Sequence, residues 1–420
     1  MTYEICEAML AREIMPATGC TEPAAVAFAA ATASRDLGTC PHSLDVQVSE
    51  DFYRNGLNVG IPGTRGMRGL GIAAALGAVR AQPGQKLDIL NDICDDELRA
   101  AEGIEVSVKP VSRADRVYVR VLARMKDREA ESVISGRHDA IVRRSVDGVV
   151  IEEKCLSPQE DKADEEDRIS IWDIVDFAQH VPVEKLDRLC EVIRVNTAIA
   201  EEGMNRAYGI GVGRAILQGM GEDRRETDVA REAMAITAAA ADARMAGCPM
   251  PVISVAGSGN QGLTATLPVI VAARRAGVGE ERMLRALAMS TLIAIHTKSF
   301  VGRLSALCGC GISAALGACA AITYLWGGGS DQINQAVNTL TADIAGIVCD
   351  GAKPGCALKI ATCVSAAFQA ALLARRGSGA SAQDGIVCAD AEETLANLGL
   401  LSNKALASAN SVILKMLDKS

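Results

Sequence analysis

The chain has 420 residues, a net charge of −9, and 49% hydrophobic but only 3% aromatic residues. Its core must therefore be built from Ala, Leu, Ile, Val and Met, and the wealth of Ala favours helices that approach one another closely. An acidic chain without a block of five Lys or Arg repels phosphate backbones, so no nucleic-acid partner is expected.

Residues 3–15 read as an amphipathic helix with charges inside its apolar pattern, unlike a signal peptide. Pro16 and Gly19 break it, and Thr21-Glu22-Pro23 opens a second helix, AAVAFAAATASRDL. Cys20 lies just before that N-terminus, where the helix dipole and free N–H groups favour a thiolate. A turn joining a thiol to the Glu22 carboxylate is a functional candidate; the alternative is a buried loop cysteine.

From about His42 the texture changes. LDVQVSE, EVSVKPV, RVYVRVLARM, ESVISGRH and DGVVIEEK alternate with period two, as half-buried strands do, with helical pieces between. The loop GIPGTRGMRGLG lacks the Gly-Lys-Ser/Thr ending of a P-loop and is no dinucleotide fingerprint. Its Arg65 and Arg68 either hold a substrate carboxylate or stand in solvent. The acidic stretch at 156–170 reads as a linker, and the pattern beyond it is helical to the end. The expected fold is mainly α with an α/β insertion: a discontinuous helical domain (1–41 and 160–420) and an inserted domain (42–155). The uncharged run from Leu304 to Ser330 is long enough to span a bilayer, but it is crowded with Gly, Ala, Ser and Cys and no second clean span accompanies it. A buried central helix in a cytoplasmic protein without a membrane partner is the expectation.

Within the helical region, the loop AGSGNQG sets Ser258, Asn260 and Gln261 among glycines. Glycine-rich loops at helix starts expose N–H groups suited to a carboxylate, and polar side chains buried there need partners that a small ligand supplies.

The stretch HTKSFVGRLSALCGC, from His296 to Cys310, gathers a histidine, a lysine, an arginine and a Cys-x-Cys pair, Cys308 and Cys310. A second group follows at Cys349, Cys356 and Cys363. Among 14 cysteines, Cys6, Cys40, Cys94, Cys155, Cys190, Cys319 and Cys388 read as small buried hydrophobes, and disulfides are not expected in a reducing cytosol. The spacing of the two groups matches neither ferredoxin pattern, and the knuckles of structural zinc sites are missing. Their setting on glycine-rich turns between apolar helices nevertheless suits an iron-sulfur cluster.

Four motifs in order, PATGCTEPAAVAFAAA, GSGNQGLTATLPV, KSFVGRLSALCGCGISAALGA and IVCDGAKPGCALKIATCVSAA, resemble the bacterial and archaeal L-cysteine desulfidases, which are related to the α-chain of iron-sulfur L-serine dehydratases. The resemblance covers nearly the whole chain. It implies β-elimination from a small amino acid without pyridoxal phosphate, using a [4Fe-4S] cluster held by three cysteines. It points to Cys310, Cys349 and Cys356 as ligands, with Cys308 or Cys20 as the rival. L-cysteine ranks above L-serine because the serine-dehydratase α-chain lacks an insertion placed like 42–155.

Under that resemblance Cys20, His296 and Lys298 are the candidates for the group acting on the α-proton. Glu22, Ser258, Asn260, Gln261, Arg303 and Lys353 are the candidates for substrate binding. His296 is equally a satisfied helix histidine, and Lys298 and Arg303 equally helix-end charges. A metabolite-binding scaffold with inert cysteines is the reading from another class. A pyridoxal-phosphate lyase is disfavoured by the lack of a suitable lysine setting. Oligomeric state is left open.

Overall fold

In the computed structural model the described residues are 2–113, 116–154, 169–219, 228–302 and 305–417. The fold is mainly helical with a smaller mixed sheet, as expected. The N-terminal helix α1 (Thr2–Glu13) stops two residues earlier than its sequence pattern, because Ile14–Ala17 extends into strand β1. Helix α2 (Thr21–Leu37) follows, then β2 (Ser43–Ser49), α3 (Glu50–Gly56), α4 (Leu70–Arg80) and α5 (Asp95–Glu102). Strands β3 (Glu105–Val111), β4 (Tyr118–Met125), β5 (Arg128–Ser135), β6 (Ile141–Val146) and β7 (Val149–Glu153) complete the α/β region.

The sheet runs β3-β2-β4-β5-β6-β7; β2 and β3 are parallel and the other neighbours antiparallel. Helices α2 and α4 cover it, and the three share one core. The small residues allow this: a Cβ on Gly77 of α4 would lie 2.1 Å from the Ala27 carbonyl of α2, so only glycine permits that crossing. Residues 21–37, grouped by their sequence with the helical region, thus pack in the core of the sheet.

The helical region comprises α6 (Ile171–His180), α7 (Arg188–Asn205), α8 (Val212–Gln218), α9 (Val229–Met245), strand β8 (Val252–Val255), α10 (Gly259–Ala276), α11 (Glu280–Val301), α12 (Ile312–Leu325), α13 (Ser330–Ile344), α14 (Cys356–Arg375), α15 (Ala391–Leu400) and α16 (Ala409–Leu417). These helices other than α16, with α1 and β8, form the second and larger core, while α16 packs against α3. The apolar run after Cys310 becomes the short buried helix α12. Among the described residues one helix, α14, is long and apolar enough to cross a membrane, and most of it is buried against its neighbours. A third small cluster, Cys20, Val59, Met245 and Cys356, joins parts drawn from both regions and marks the seam between them.

Several cysteines depart from expectation. Cys40, Cys94 and Cys190 are exposed and Cys388 is half-buried, whereas Cys6 and Cys319 are buried as expected. Cys94 precedes α5, where its N–H donates to Glu97. Cys155 and residues 156–168 of the expected linker lie outside the described residues.

Candidate active site

Two short strands bring the first pieces of the site together. β1 pairs antiparallel with β8, Ile14 opposite Val255 and Ala17 opposite Val252. Past β1 the chain turns through Gly19 (φ 68°) into Cys20 and α2; past β8 it turns through Ala256 and Gly257, both at positive φ, into α10. The start of α10 and the Cys20 turn are thereby set near the end of α9. Arg244, on the last turn of α9, ties them: its Nη1 donates to Asn260 Oδ1 (3.1 Å) and its Nη2 to the Gly19 carbonyl (2.6 Å). The guanidinium also faces the Cys20 thiol, which burial pushes up to about 11 against the pull of that positive charge.

Ser258 caps α10, accepting from the Gln261 N–H at 3.3 Å, so its hydroxyl serves the helix. Asn260 is held between Arg244 and the Met245 sulfur. Gln261 is fully buried and neither polar atom of its amide has a partner.

Helix α11 carries His296 and Lys298. Two residues on a helix are about 200° apart, and the two side chains part accordingly. The His296 Nε2 meets the Glu392 carboxylate at 2.9 Å, and its ring packs edge-on to Phe300. Lys298 faces the cysteine loops: a Cβ on Gly309 would lie 2.6 Å from its Nζ and 3.2 Å from Gln261 Oε1. Burial lowers its ammonium to about 8, while Cys349, Cys310 and Cys308 oppose that shift.

The two cysteine loops are laced into one unit. Leu307 and Val348 form an isolated antiparallel bridge, the Cys308 N–H donates to the Ile347 carbonyl (2.9 Å), and the Cys349 N–H donates to the Ala306 carbonyl (2.7 Å). Cys308 and Cys310 have their sulfurs 3.5 Å apart. Cys310 also bonds to Cys356, the first residue of α14. Hydrogen bonding with Cys310 lowers Cys308 and brings Cys356 down to about 6. Cys310 itself is raised, by its hydrogen bonds to those two sulfurs and by burial. Burial raises Cys349. Cys363, read as a packing residue, is buried and its thiol is pushed up by burial; it lies against Gly311 beside Cys308.

The remaining candidates have other work. Lys353 and Lys359 both pair with Asp350, and Lys353 donates to the Gly351 carbonyl, so this lysine shapes the Cys349–Cys356 loop. Glu22 lies close enough to push the Cys20 thiol up, and is held by Asn55 (3.2 Å) and Thr21. Arg303 lies outside the described residues. Arg65 is largely exposed and pairs with Asp95, so the glycine-rich loop presents it to solvent.

Two buried arginines escaped the sequence reading. Arg244 sits at the end of the alanine run AAAADARMAG and looks there like an ordinary helix-end charge. Arg54, almost wholly buried, pairs with Asp51 (3.2 Å) and lies near enough to Cys349 to pull that thiol down.

The donor set is all thiol. Among the described residues no three His, Cys, Asp or Glu side chains are arranged around a single metal ion. Four buried or half-buried thiols on two laced loops, one at the N-terminus of a 20-residue helix, fit the thiolate ligands that an iron-sulfur cluster takes.

The comparisons with known proteins place this chain. The sequence model of the serine dehydratase alpha chain family matches residues 84–415, and the chain belongs to that family. It is also similar to proteins named UPF0597 over nearly full length. One from Oleidesulfovibrio alaskensis is 40% identical over 97% of this chain and 96% of its own. One from Clostridium perfringens is 38% identical over 98% and 97%, and one from Aeromonas salmonicida is 40% identical over 94% and 91%. The family match contains both cysteine loops and leaves Cys20 outside; it reaches back into the α/β region.

Proposed function

We propose that this protein is a pyridoxal-independent lyase that eliminates the β-substituent of a small L-amino acid, L-cysteine first. The observation that carries the reading is the hydrogen-bonded run Cys308–Cys310–Cys356, with Cys349 on the loop laced to it, beside buried Lys298 and Gln261. Cys310, Cys349 and Cys356 would hold a [4Fe-4S] cluster, with Cys308 or Cys20 as the alternative ligand. A cluster with one iron free of cysteine supplies a Lewis acid at the β-substituent.

The chain's own residues do the rest. Free N–H groups in the first turn of α10 attract the substrate carboxylate. Lys298, lowered to about 8 by burial, has a neutral fraction near pH 7 and takes the α-proton. The α-C–H pair becomes the Cα–Cβ double bond as the β-group leaves with its electrons. The aminoacrylate released tautomerises and takes up water. L-cysteine and water thus give pyruvate, ammonia and sulfide; L-serine gives pyruvate and ammonia.

Family membership favours serine, and the family match reaches back to residue 84, so the part of the α/β region from there on does not separate the two substrates. L-cysteine stands first on the resemblance of the four motifs to the desulfidases. The test is turnover by protein purified without oxygen, given each amino acid in turn. Pyruvate with equimolar sulfide from L-cysteine, faster than pyruvate from L-serine, is expected. The reverse order makes the protein a serine dehydratase, and no product from either removes the lyase reading.

A further inference from the structure

Arg244 is only 7% exposed, and no carboxylate pairs with it among the described residues. Its Nε has no hydrogen-bond partner. The guanidinium's N–H donors reach Asn260, the Gly19 carbonyl and the Cys20 thiol, all of them neutral groups. A buried cation without an anion is costly to keep, and buried polar groups left open in a native structure call for an explanation.

A second observation stands nearby. Gln261 is entirely buried with both amide atoms unpartnered. Its Oε1 and the Lys298 Nζ converge on the bare Cα of Gly309, where a side chain would strike both. Gly259 plays the same part for the arginine: a Cβ there would lie 2.4 Å from Arg244 Nε. Arg244 and Gln261 therefore flank the first turn of α10, one toward Cys20 and the other toward Lys298 and the cysteine loops.

We propose that Arg244 binds the α-carboxylate of the amino-acid substrate, and that Gln261 Oε1 accepts from its α-ammonium group. The assignment rests on the lyase reading and deepens it by naming the residue that fixes the end of the substrate opposite the leaving group. A guanidinium matches a carboxylate in a two-bonded fork. It makes a free carboxylate a requirement, so amines and esters of the same skeleton are rejected.

The probe is L-alanine, which has the backbone of the substrate and no leaving group, titrated calorimetrically into the full anaerobic protein alongside L-alanine methyl ester. The wild type binds the acid and not the ester. Arg244→Gln weakens binding of L-alanine by about 100-fold, in line with truncating one partner of a buried charge pair. Arg244→Lys, a point charge without the fork, falls between. In turnover the KM of Arg244→Lys rises more than its kcat falls, with visible absorbance unchanged.

Equal binding of acid and ester by the wild type overturns the assignment, and that comparison needs no variant to fold. So does a soluble Arg244→Gln protein that binds L-alanine as the wild type does. Arg244-dependent binding without turnover of cysteine or serine keeps the carboxylate site and sinks the lyase reading. Turnover with a KM indifferent to Arg244 does the opposite.

Discussion

In the α/β region Arg80 meets Glu97 at 2.8 Å, Arg120 meets Glu131 and Arg144 meets Asp36, so each buried or half-buried arginine has a carboxylate. Arg80 also donates to the carbonyls of Ile89, Asn91 and Asp92, pinning the loop that precedes α5. At the seam, Arg244 and Lys298 are as deeply buried, yet neither has a carboxylate among the described residues. The first arrangement is complete without a ligand and serves the fold. The second leaves positive charge and an open amide around thiols, which is what the proposed anionic substrate and thiolate ligands require.

That contrast can be broken at either end. The largest effect is expected from Cys349→Ala or Cys356→Ala, which should abolish visible absorbance and turnover together; a coloured, active variant removes that residue from the ligand set. Next is Lys298→Met, expected to lower kcat by about 10²- to 10⁴-fold with absorbance retained, read by steady-state kinetics and spectrum on one sample. In the α/β region Arg80→Ala should cost about 2 kcal/mol in chemical denaturation and leave kcat unchanged per folded molecule.

Glu97 offers a pH test of the same pair. Burial pushes its carboxyl up, but hydrogen bonds from Arg80 and the Cys94 N–H outweigh that, and the net shift is downward. A folded value below the unfolded one, about 4.3, stabilises fully above that pH and is lost as pH falls through the folded value. Glu97→Gln should flatten this part of the acid limb in melting curves. The smallest effects belong to residues placed outside the chemistry. Ser258→Ala should cost about 1 kcal/mol as a lost cap, and His296→Asn should leave kcat/KM of the same order, since its ring is engaged by Glu392.

The sequence made β2 legible because alternate residues of it are buried, whereas β5 is buried over five consecutive residues and β7 has no buried residue, so their alternating sequences do not mirror alternating burial. It concealed β6, whose adjacent Arg143 and Arg144 and register shift break the alternation. It also concealed β8, whose four residues are all buried and show no alternation at all. The cysteine loops were legible because their thiols stand beside glycines, though the close approaches that require Gly309, Gly311 and Gly351 show only in the structure. The orientation of α11 was not: the helix is buried almost all round, so no apolar stripe reveals which of His296 and Lys298 faces the thiols. Arg244 was hidden for a related reason, since a charge at the end of an alanine helix looks the same whether it reaches solvent or a pocket.

The most direct test of the account is the visible spectrum of anaerobically purified protein before and after adding L-cysteine. A broad iron-sulfur band that shifts on addition, while sulfide and pyruvate accumulate, is the predicted result. A protein that stays colourless after iron and sulfide are supplied, with its thiols reduced and its fold intact, would contradict it.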